Sequence, residues 1–452
     1  MTHFQWVLRQ VSRRLWVRAS LIGFLGVLAA IFALIAERYV PMELPGQIGA
    51  DAVGSILNII ASSMLAVTTF SLSVMIAAYG SVTSNVTPRA TKLLMQDSVT
   101  QNVLSTFVGS FLFAIVGIVV LQTGAYGARG RGILFVVTIG VIALIVVSLL
   151  HWIDHLTRLG RVGETTDRVE QATREAIEAR LVDPWLGGQP MDHPERDIPE
   201  DARPVSADAI GYVQHVDIGA LARCAEAFDL EIFVAAQPGV FIYPHTPLAH
   251  ILGTIDEAGE RGEAVDDIRD AFTIGAERSF DQDPRFGLAV MSEIASRALS
   301  PAMNDTGTAI DVLGRMARLM SLWGGGSGGG EGEKEIEVRF PRVHVAALAA
   351  DDLFDDAFLL LARDGAGLIE VQLRLQKTLA ALAQMGDSSF KAAARNQARI
   401  ALLRAQAALP IEVDRERLKA FLDDVAEVEA QPTPHDESAR LSAGREPGTG
   451  GG

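Results

Sequence analysis

The chain has few cysteines for disulfide bonds and a long interval without a lysine for the attachment of a cofactor. Its 452 residues include a single cysteine, Cys224, which permits no intrachain disulfide and suits a reducing compartment. No lysine occurs between Lys92 and Lys334. This absence excludes a lysine-attached lipoyl or biotinyl group over that interval.

Charged side chains are missing from four long apolar runs in the first third of the chain. Each run has about 20 residues, the length of helix that a bilayer core requires, and none contains Asp, Glu, Lys or Arg. Four such runs in succession predict four transmembrane helices. The lack of charge argues against a proton-coupled transporter or a charged substrate site within them. The runs are Ala19–Ala36, Ile56–Tyr79, Val103–Thr123 and Ile133–Trp152.

The two halves of the chain differ in charge. Residues 1–152 contain nine Lys or Arg and four Asp or Glu, a net charge of +5; because the whole chain carries −16, the remaining 300 residues carry −21. Such an acidic region would repel phosphates, which argues against nucleic acid as a partner.

Basic residues near the ends of the apolar runs predict the orientation, since cytoplasmic loops are enriched in Lys and Arg. The side that holds the N-terminal segment has eight of them, and the opposite side has three. We therefore expect a multi-pass protein of the bacterial inner (plasma) membrane with both termini in the cytoplasm. The eight are Arg9, Arg13, Arg14, Arg18, Arg89, Lys92, Arg158 and Arg161, and the three are Arg38, Arg129 and Arg131.

Composition and periodicity predict four consecutive regions along the chain. Residues 1–152 form the four-span transmembrane domain, and residues 153–204 form an amphipathic helix, continuous with His151–Val182, and a linker rich in proline and acids. Residues 205–429 form a cytoplasmic α+β domain with a small β-module and helices. Residues 430–452 are rich in Pro, Glu, Ser and Gly, contain one large apolar side chain, Leu441, and are expected to be disordered.

Patterns within the α+β region place its strands. Gly211–Asp217 and Leu230–Ala235 are typical of strands, with a short helix between them, and Gln237–Leu248 is typical of a turn and a paired strand. This order suggests a small β-barrel with a helical insert. Trp323–Gly332 is predicted to be a flexible loop and not a phosphate cradle, because no GK[ST] closes it.

Several stretches together resemble a bacterial family of predicted membrane proteins catalogued as domain of unknown function 2254. The resemblance runs from about residue 10 to residue 425 and implies an architecture of membrane spans followed by a cytoplasmic domain. It implies no established biochemical activity. The stretches that carry it are Thr87–Ala90, Asp97–Gln101, Gly211–Asp217, Pro238–Leu248, Gly275–Gly287 and Arg297–Asp305.

The second apolar run is the most polar of the four. A stripe of polar side chains recurs at helical spacing along it and is continued by Ala66, Ala77 and Gly80. The stripe could line a hydrated path, where hydroxyls and an amide solvate an ion. It could also be a face for close helix packing, with the hydroxyls bonded to their own helix, and packing between subunits would satisfy both interpretations. The pore-lining candidates are Ser55, Asn58, Ser62, Thr69 and Ser73.

His151, Asp154 and His155 are spaced so that one helical face carries all three side chains at the end of the fourth run. This spacing would suit a metal site, but the HExxH pattern and a ligand from another segment are missing. Anchoring at the membrane interface is the favoured interpretation, and we predict no metal.

A polar elbow is predicted where one helix, Leu288–Leu299, ends at Ser300-Pro301 and the next, Thr306–Leu322, begins. Asn304 or Asp305 would cap the second helix, and Arg297 could reach Asp305. A structural elbow or subunit contact is favoured over a ligand pocket. The residues of the polar elbow, which are also the ligand candidates, are Glu277, Arg278, Gln282, Asp283, Arg297, Asn304 and Asp305.

The leading hypothesis from the sequence is a homo-oligomeric, channel-like or permeability protein whose cytoplasmic domain assembles or gates it. The alternative is a membrane-anchored sensor or scaffold that binds a ligand or partner at the Arg297–Asp305 elbow. We expect the lipid bilayer and further copies of the chain as partners, with no nucleic acid, no cofactor and no enzymatic activity.

Overall fold

The computed structural model describes residues 6, 11–12, 15–36, 50–95, 97–253, 258–327 and 337–430. The protein is mostly helical and forms two compact units. Residues 1–172, 185–283 and 338–346 contribute to the first unit, and residues 173–184, 284–337 and 347–452 contribute to the second.

Six helices come first in the chain, and residues 173–182 at the end of the sixth belong to the second unit. The bounds of these helices are α1 Leu15–Ala36, α2 Ala50–Asn85, α3 Pro88–Met95, α4 Ser98–Gln122, α5 Ala128–Leu156 and α6 Val162–Val182. Within the described residues, three of them contain segments long and apolar enough to cross a membrane, and these are Ala50–Ser84, Ser98–Gln122 and Arg129–Leu156. They confirm the second, third and fourth predicted runs as helices of spanning length. The apolar part of α1, Trp16–Phe32, is shorter, so the first span stays a prediction.

Helix α4 is the centre of this helical group, because α1, α2 and α5 all pack against it. Two glycines allow α1 to approach closely: a Cβ on Gly26 would lie 2.5 Å from the carbonyl oxygen of Gly109. Phe107 and Phe113 of α4 are fully buried together with Leu57 of α2. Small residues at a crossing and large apolar residues beside it are the usual means by which membrane helices pack.

The predicted continuous helix from His151 to Val182 is interrupted. Helix α5 ends at Leu156 and α6 begins at Val162, with Gly160 between them at a φ of +82°. A glycine is favoured there because other residues rarely adopt positive φ, and a Cβ would lie 3.2 Å from the Cβ of Ala78. The break lets α6 turn back toward the start of α4.

The β-module of the first unit consists of two sheets in the described residues and not of the expected barrel. The strands are β1 Gly188–Met191, β2 Arg203–Ser206, β3 Gly211–Val216, β4 Glu231–Val234, β5 Phe241–Ile242, β6 Pro247–Leu252, β7 Phe272–Gly275 and β8 Phe340–Ala346; the helices among them are α7 Pro194–Asp197, α8 Ile218–Ala227 and α9 Ala258–Asp270. The five-stranded sheet has the order β1-β8-β4-β6-β2 and the three-stranded sheet has the order β5-β3-β7. Buried apolar residues of both sheets and of helix α8 form one core.

Strand pairs distant in sequence decide this arrangement. β8 lies parallel to both β1 and β4, and β2 pairs antiparallel with β6. Both β1 and β2 include residues of the segment predicted as a linker from its proline content. This segment contains short strands. Because their partners lie far along the chain, local sequence patterns give no signal for them.

The second unit is a group of helices. Phe354, Phe358 and Phe390 are almost fully buried and contact one another, and the rings of Phe354 and Phe390 meet edge to face with centroids 4.9 Å apart. The helices are α10 Pro284–Ala298, α11 Thr306–Ser327, α12 Ala350–Asp364, α13 Ile369–Leu382, α14 Ser388–Ala408 and α15 Glu412–Ala430. The predicted disordered tail lies, from residue 431 onward, outside the described residues.

Candidate functional site

The polar stripe of α2 faces away from the described helices of the first unit that pack against α2. At 3.6 residues per turn, the stripe is centred about 180° around the helix from the side that packs against α4 and α5. Its five members are all exposed, as are Ala66, Ala77 and Gly80, which extend it. The stripe consists of Ser55, Asn58, Ser62, Thr69 and Ser73, and the packed side consists of Val53, Leu57, Ile60, Met64, Ser71, Met75 and Val82.

Three of the four stripe hydroxyls donate their protons to their own helix. Ser62 donates to the carbonyl of Asn58 at 2.9 Å, Thr69 to that of Leu65 at 2.9 Å, and Ser73 to that of Thr69 at 3.0 Å. Because each proton is used in this way, the lone pairs of the hydroxyl oxygens remain available as acceptors. Asp51, in the first turn of α2, is exposed and lies on the same face.

The outward faces of α1 and α5 differ from that of α2. Their middle portions expose large apolar side chains, as lipid-facing helices do. On α2, by contrast, exposed apolar side chains such as Ile59, Phe70 and Ile76 adjoin the polar stripe. The exposed apolar residues of α1 are Trp16, Leu21, Phe24, Leu25, Leu28, Ile31, Phe32 and Ile35, and those of α5 are Val136, Ile139, Leu144, Val146, Val147, Leu150 and Ile153.

The three side chains with metal-like spacing on α5 have separate contacts. The Nδ1 of His151 lies 2.9 Å from the carbonyl oxygen of Val147, and Asp154 pairs with Arg158 at 3.2 Å. His155 points toward α4 instead. Within the described residues, no group of three or more His, Cys, Asp or Glu side chains is arranged to hold a metal ion.

A buried ionic cluster around Asp97 joins the ends of three helices, and the sequence reasoning missed it. One carboxylate oxygen of Asp97 lies 2.9 Å from Nη1 of Arg168 on α6, and the other lies 2.8 Å from Nε2 of His155 on α5. Asp97 also caps α4, because it accepts from the amide of Thr100 at 2.9 Å and from its hydroxyl at 2.5 Å. Glu164 pairs with Arg168 at 3.3 Å. We call these residues the Asp97 cluster.

The electrostatics of the cluster keep Asp97 ionised. Burial by itself raises the pKa of this carboxyl, but hydrogen bonds from His155, Thr100 and Arg168 outweigh burial and hold the pKa well below its usual range. The Asp97 side chain is only 6% exposed. The spacing of Asp97 and Thr100 at the start of an apolar run is typical of a helix cap. No local pattern indicates the contacts of Asp97 with His155 on α5 and Arg168 on α6.

Four candidates of the predicted elbow lie in the first unit. Arg278 and Asp283 form a two-bond ion pair, at 2.8 and 2.9 Å. The side chain of Gln282 bonds the end of β3, because its amide oxygen accepts from the backbone N–H of Val216 at 3.0 Å. Glu277 is exposed and pairs with Lys92 of α3 at 3.4 Å. These contacts fasten the segment after β7 to the three-stranded sheet and to α3.

The other three elbow candidates lie in the second unit. Asp305 caps α11, accepting from the amide of Thr308 at 2.9 Å and from its hydroxyl at 2.6 Å. These hydrogen bonds from Thr308 lower the pKa of Asp305. Asn304 adopts a φ of +49°, and Arg297, in the last turn of α10, is half-buried. The geometry supports the predicted capping role of Asp305.

Comparison with known proteins gives a family and two relatives. Residues 12–381 match the family described as "Predicted membrane protein (DUF2254)". The chain is also similar to uncharacterized protein Rv1290c of Mycobacterium tuberculosis (strain ATCC 25618 / H37Rv) and to uncharacterized protein Mb1321c of Mycobacterium bovis (strain ATCC BAA-935 / AF2122/97). Each is 27% identical over 283 residues, which make up 60% of this chain and 52% of the relative.

The chain therefore spans about half the length of the curated relatives it matches. No solved structure matches it. Because the family match covers most of the chain and agrees with its apolar helices, the protein belongs to the DUF2254 family of predicted membrane proteins.

Proposed function

We propose that this protein is a homo-oligomeric, channel-like membrane protein in which copies of α2 surround a hydrated path. The polar stripe of α2 carries the proposal, since it faces away from its own chain. An exposed amide such as that of Asn58 is costly in hydrocarbon. Neighbouring copies of α2, in contact at Asn58 and with water beside the rest of the stripe, would give the stripe polar surroundings. The protein would act without a catalytic step or a cofactor.

Contacts within the first unit support four membrane spans. Trp6 lies before α1 and stacks on His215, and Lys92 lies after α2 and pairs with Glu277, so both meet the same β-module. Trp6 and Lys92 therefore lie on the same side of the membrane, and the chain between them must cross it an even number of times. Because α1 and α2 are the two described helices between them and α2 crosses once, α1 must cross as well.

The distribution of Lys and Arg supports a cytoplasmic location for that shared side in a bacterial inner membrane. A reporter fused after Leu186 tests this orientation. Cytoplasmic reporter activity is the expected result. Periplasmic activity would reverse the orientation without changing the number of crossings.

The direction of the stripe hydrogen bonds favours water and cations over anions as the permeating species. The hydroxyl oxygens of Ser62, Thr69 and Ser73 face outward as acceptors, and acceptors solvate cations. Asp51 adds a carboxylate near one end of the same face. The described part of α2 has no basic side chain.

Flux through reconstituted vesicles tests the proposed path. We expect K⁺ to pass faster than Cl⁻ through the wild type, Thr69→Phe to block the flux, and Thr69→Ala to conserve it because the residue stays small. Ile139→Phe, on the outward face of α5, is the matched control and should leave the flux unchanged. Oligomer size is measured for every variant, so that loss of assembly is separated from blockage.

Two outcomes contradict the proposed path. Equal flux in Thr69→Phe and the wild type means that the stripe does not line it. Flux no greater than in empty vesicles under voltage, tension and osmotic challenge favours the alternative, a membrane-anchored scaffold or sensor.

A further inference from the structure

An exposed aromatic patch lies on the three-stranded sheet, outside the proposed path. The ring of Phe241 contacts Tyr212 and Tyr243 edge to face, with centroids 4.8 and 5.1 Å apart. Tyr243 and Ile210 are each 62% exposed, and Val240 and Phe241 are exposed as well. We call these residues the aromatic patch. A contiguous apolar surface of this kind marks an interaction site.

The sheet that carries the patch is held by segments that enter the membrane. Lys92, on the short helix between α2 and α4, pairs with Glu277, whose carbonyl accepts from the side-chain amide of Gln214 on β3 at 2.6 Å. Trp6, ahead of α1, stacks on His215 of the same strand and donates to Asp281 at 3.2 Å. Two separate membrane-entering segments thus meet one three-stranded sheet.

The patch and the contacts of Trp6 and Lys92 lie close together on β3. The pairing of β3 with β7 shifts by one residue between Val213 and His215, so Gln214 is the extra residue of a bulge. Tyr212 therefore shares a face with His215, on which Trp6 stacks, while Val213 and Val216 belong to the core of the module. Gln214, which bonds the carbonyl of Glu277, is two residues from Tyr212. Two residues along a strand span about 7 Å. The aromatic patch therefore begins within one or two side chains of the point where the sheet meets the membrane-proximal helix α3.

We propose that the aromatic patch binds the lipid surface, with Phe241, Tyr243 and Ile210 in the headgroup region of the bilayer that the same chain spans. Tyrosine suits this region because its ring is apolar and its hydroxyl reaches water. The neighbouring contacts of Trp6 and Lys92 place the bilayer beside the patch, which favours lipid over a second copy of the chain. The proposal depends on the membrane spans and not on a conducting path.

The cysteine content of the chain makes the test direct. Cys224 is 3% exposed, and burial raises the pKa of its thiol to about 11, so few thiolates are available to a labelling reagent at neutral pH. Tyr243→Cys and Ile210→Cys each introduce an exposed thiol for a nitroxide. Glu226→Cys, exposed on α8 of the same module, is the matched control.

The full-length variants are labelled and placed in lipid vesicles. The accessibility of each nitroxide is then measured to oxygen, which concentrates in lipid, and to a nickel chelate, which stays in water. We expect a severalfold higher ratio of oxygen to nickel accessibility at positions 243 and 210 than at position 226. Equal ratios at the three positions would overturn the proposal. Low accessibility to both reagents, with spin–spin broadening that disappears on dilution with unlabelled protein, would also overturn it and assign the patch to a second copy.

Discussion

Two groups of polar side chains in the membrane part of this protein have opposite surroundings. Asp97, His155 and Arg168 are brought together from three elements and bond one another inside the chain. The polar stripe of α2 is exposed along one face, and its hydroxyls bond only backwards, to their own helix. The first group is complete within a single copy, whereas the second has acceptors facing outward.

This difference predicts a role in folding for the Asp97 cluster and, in the proposed oligomer, a role in assembly for the polar stripe. The buried carboxylate of Asp97 holds the helix ends together, and its removal would leave His155 and Arg168 without that contact. A polar face that turns away from its own chain contributes nothing to packing in one copy. Its residues matter only when another copy, water or an ion reaches them.

The largest expected effect comes from removing the centre of the Asp97 cluster. Asp97→Ala removes the carboxylate that contacts Arg168 and His155 and also the cap of α4, while Arg168 keeps its partly exposed pair with Glu164. We therefore expect a loss of about 2–4 kcal/mol of unfolding free energy. Denaturation of the full chain in detergent or lipid measures it. The control is Asp154→Ala, which breaks a solvent-exposed pair with Arg158 and should cost less than about 1 kcal/mol. Similar losses in both variants would mean that the cluster is no stronger than a surface pair.

Acidic pH should weaken the Asp97 cluster. The unfolding free energy of the wild type is compared with that of Asp97→Asn, which lacks the carboxyl group that titrates. Because the folded state lowers the pKa of Asp97, its contribution is complete above the ordinary carboxyl pKa of about 4 and is lost as the pH falls below that value. The stability difference between the wild type and Asp97→Asn should be constant from about pH 8 to pH 5 and should shrink below about pH 4. A difference that shrinks already between pH 7 and pH 5 would contradict the assignment to Asp97.

The stripe should affect association and not folding. We expect Asn58→Leu to weaken the oligomer by about 1 kcal/mol, roughly fivefold in the association constant, because an interhelical amide contact is lost. Analytical ultracentrifugation in detergent measures this change. Ile139→Leu introduces the same residue on the outward face of α5 and should have no effect. If Asn58→Leu leaves association unchanged or strengthens it, the stripe is not an interface between copies.

The smallest loss of stability is expected at Asp305, which caps α11. Asp305 is exposed and caps α11 through Thr308, so Asp305→Ala should cost about 1 kcal/mol. Thermal unfolding of the full chain measures the change. Asp311→Ala, which removes an exposed partner of Arg315 on the same helix, should cost less. A loss at Asp305 as large as that at Asp97 would show that burial does not decide the strength of these caps.

Local patterns in the sequence predicted much of the helical architecture. Apolar runs of spanning length identified three helices that the structure confirms, and Ser300-Pro301 followed by Asn304-Asp305 located the boundary between α10 and α11. These signals depend on residues within a few turns of each other. Hydropathy, helix breaking by proline and capping act over that distance.

Other features could not be predicted because distant residues create them. The glycines after Trp323 suggested a flexible loop, yet α11 continues to Ser327, and a Cβ on Gly326 would lie 2.6 Å from a methyl group of Leu181. The glycine makes room for a side chain about 145 residues earlier. Periodicity along the sequence carries no information about such a contact.

The sequence by itself determined that this is a membrane protein, which helices are apolar and that α2 carries a polar stripe, because composition and helical period are properties of neighbouring residues. Only the tertiary structure decided which face of α2 is left exposed, that Asp97 meets His155 and Arg168, and that the aromatic patch adjoins a membrane-proximal helix. Each of these depends on where segments far apart in the chain come together. Packing and ion pairing between such segments are set by the fold and not by local sequence.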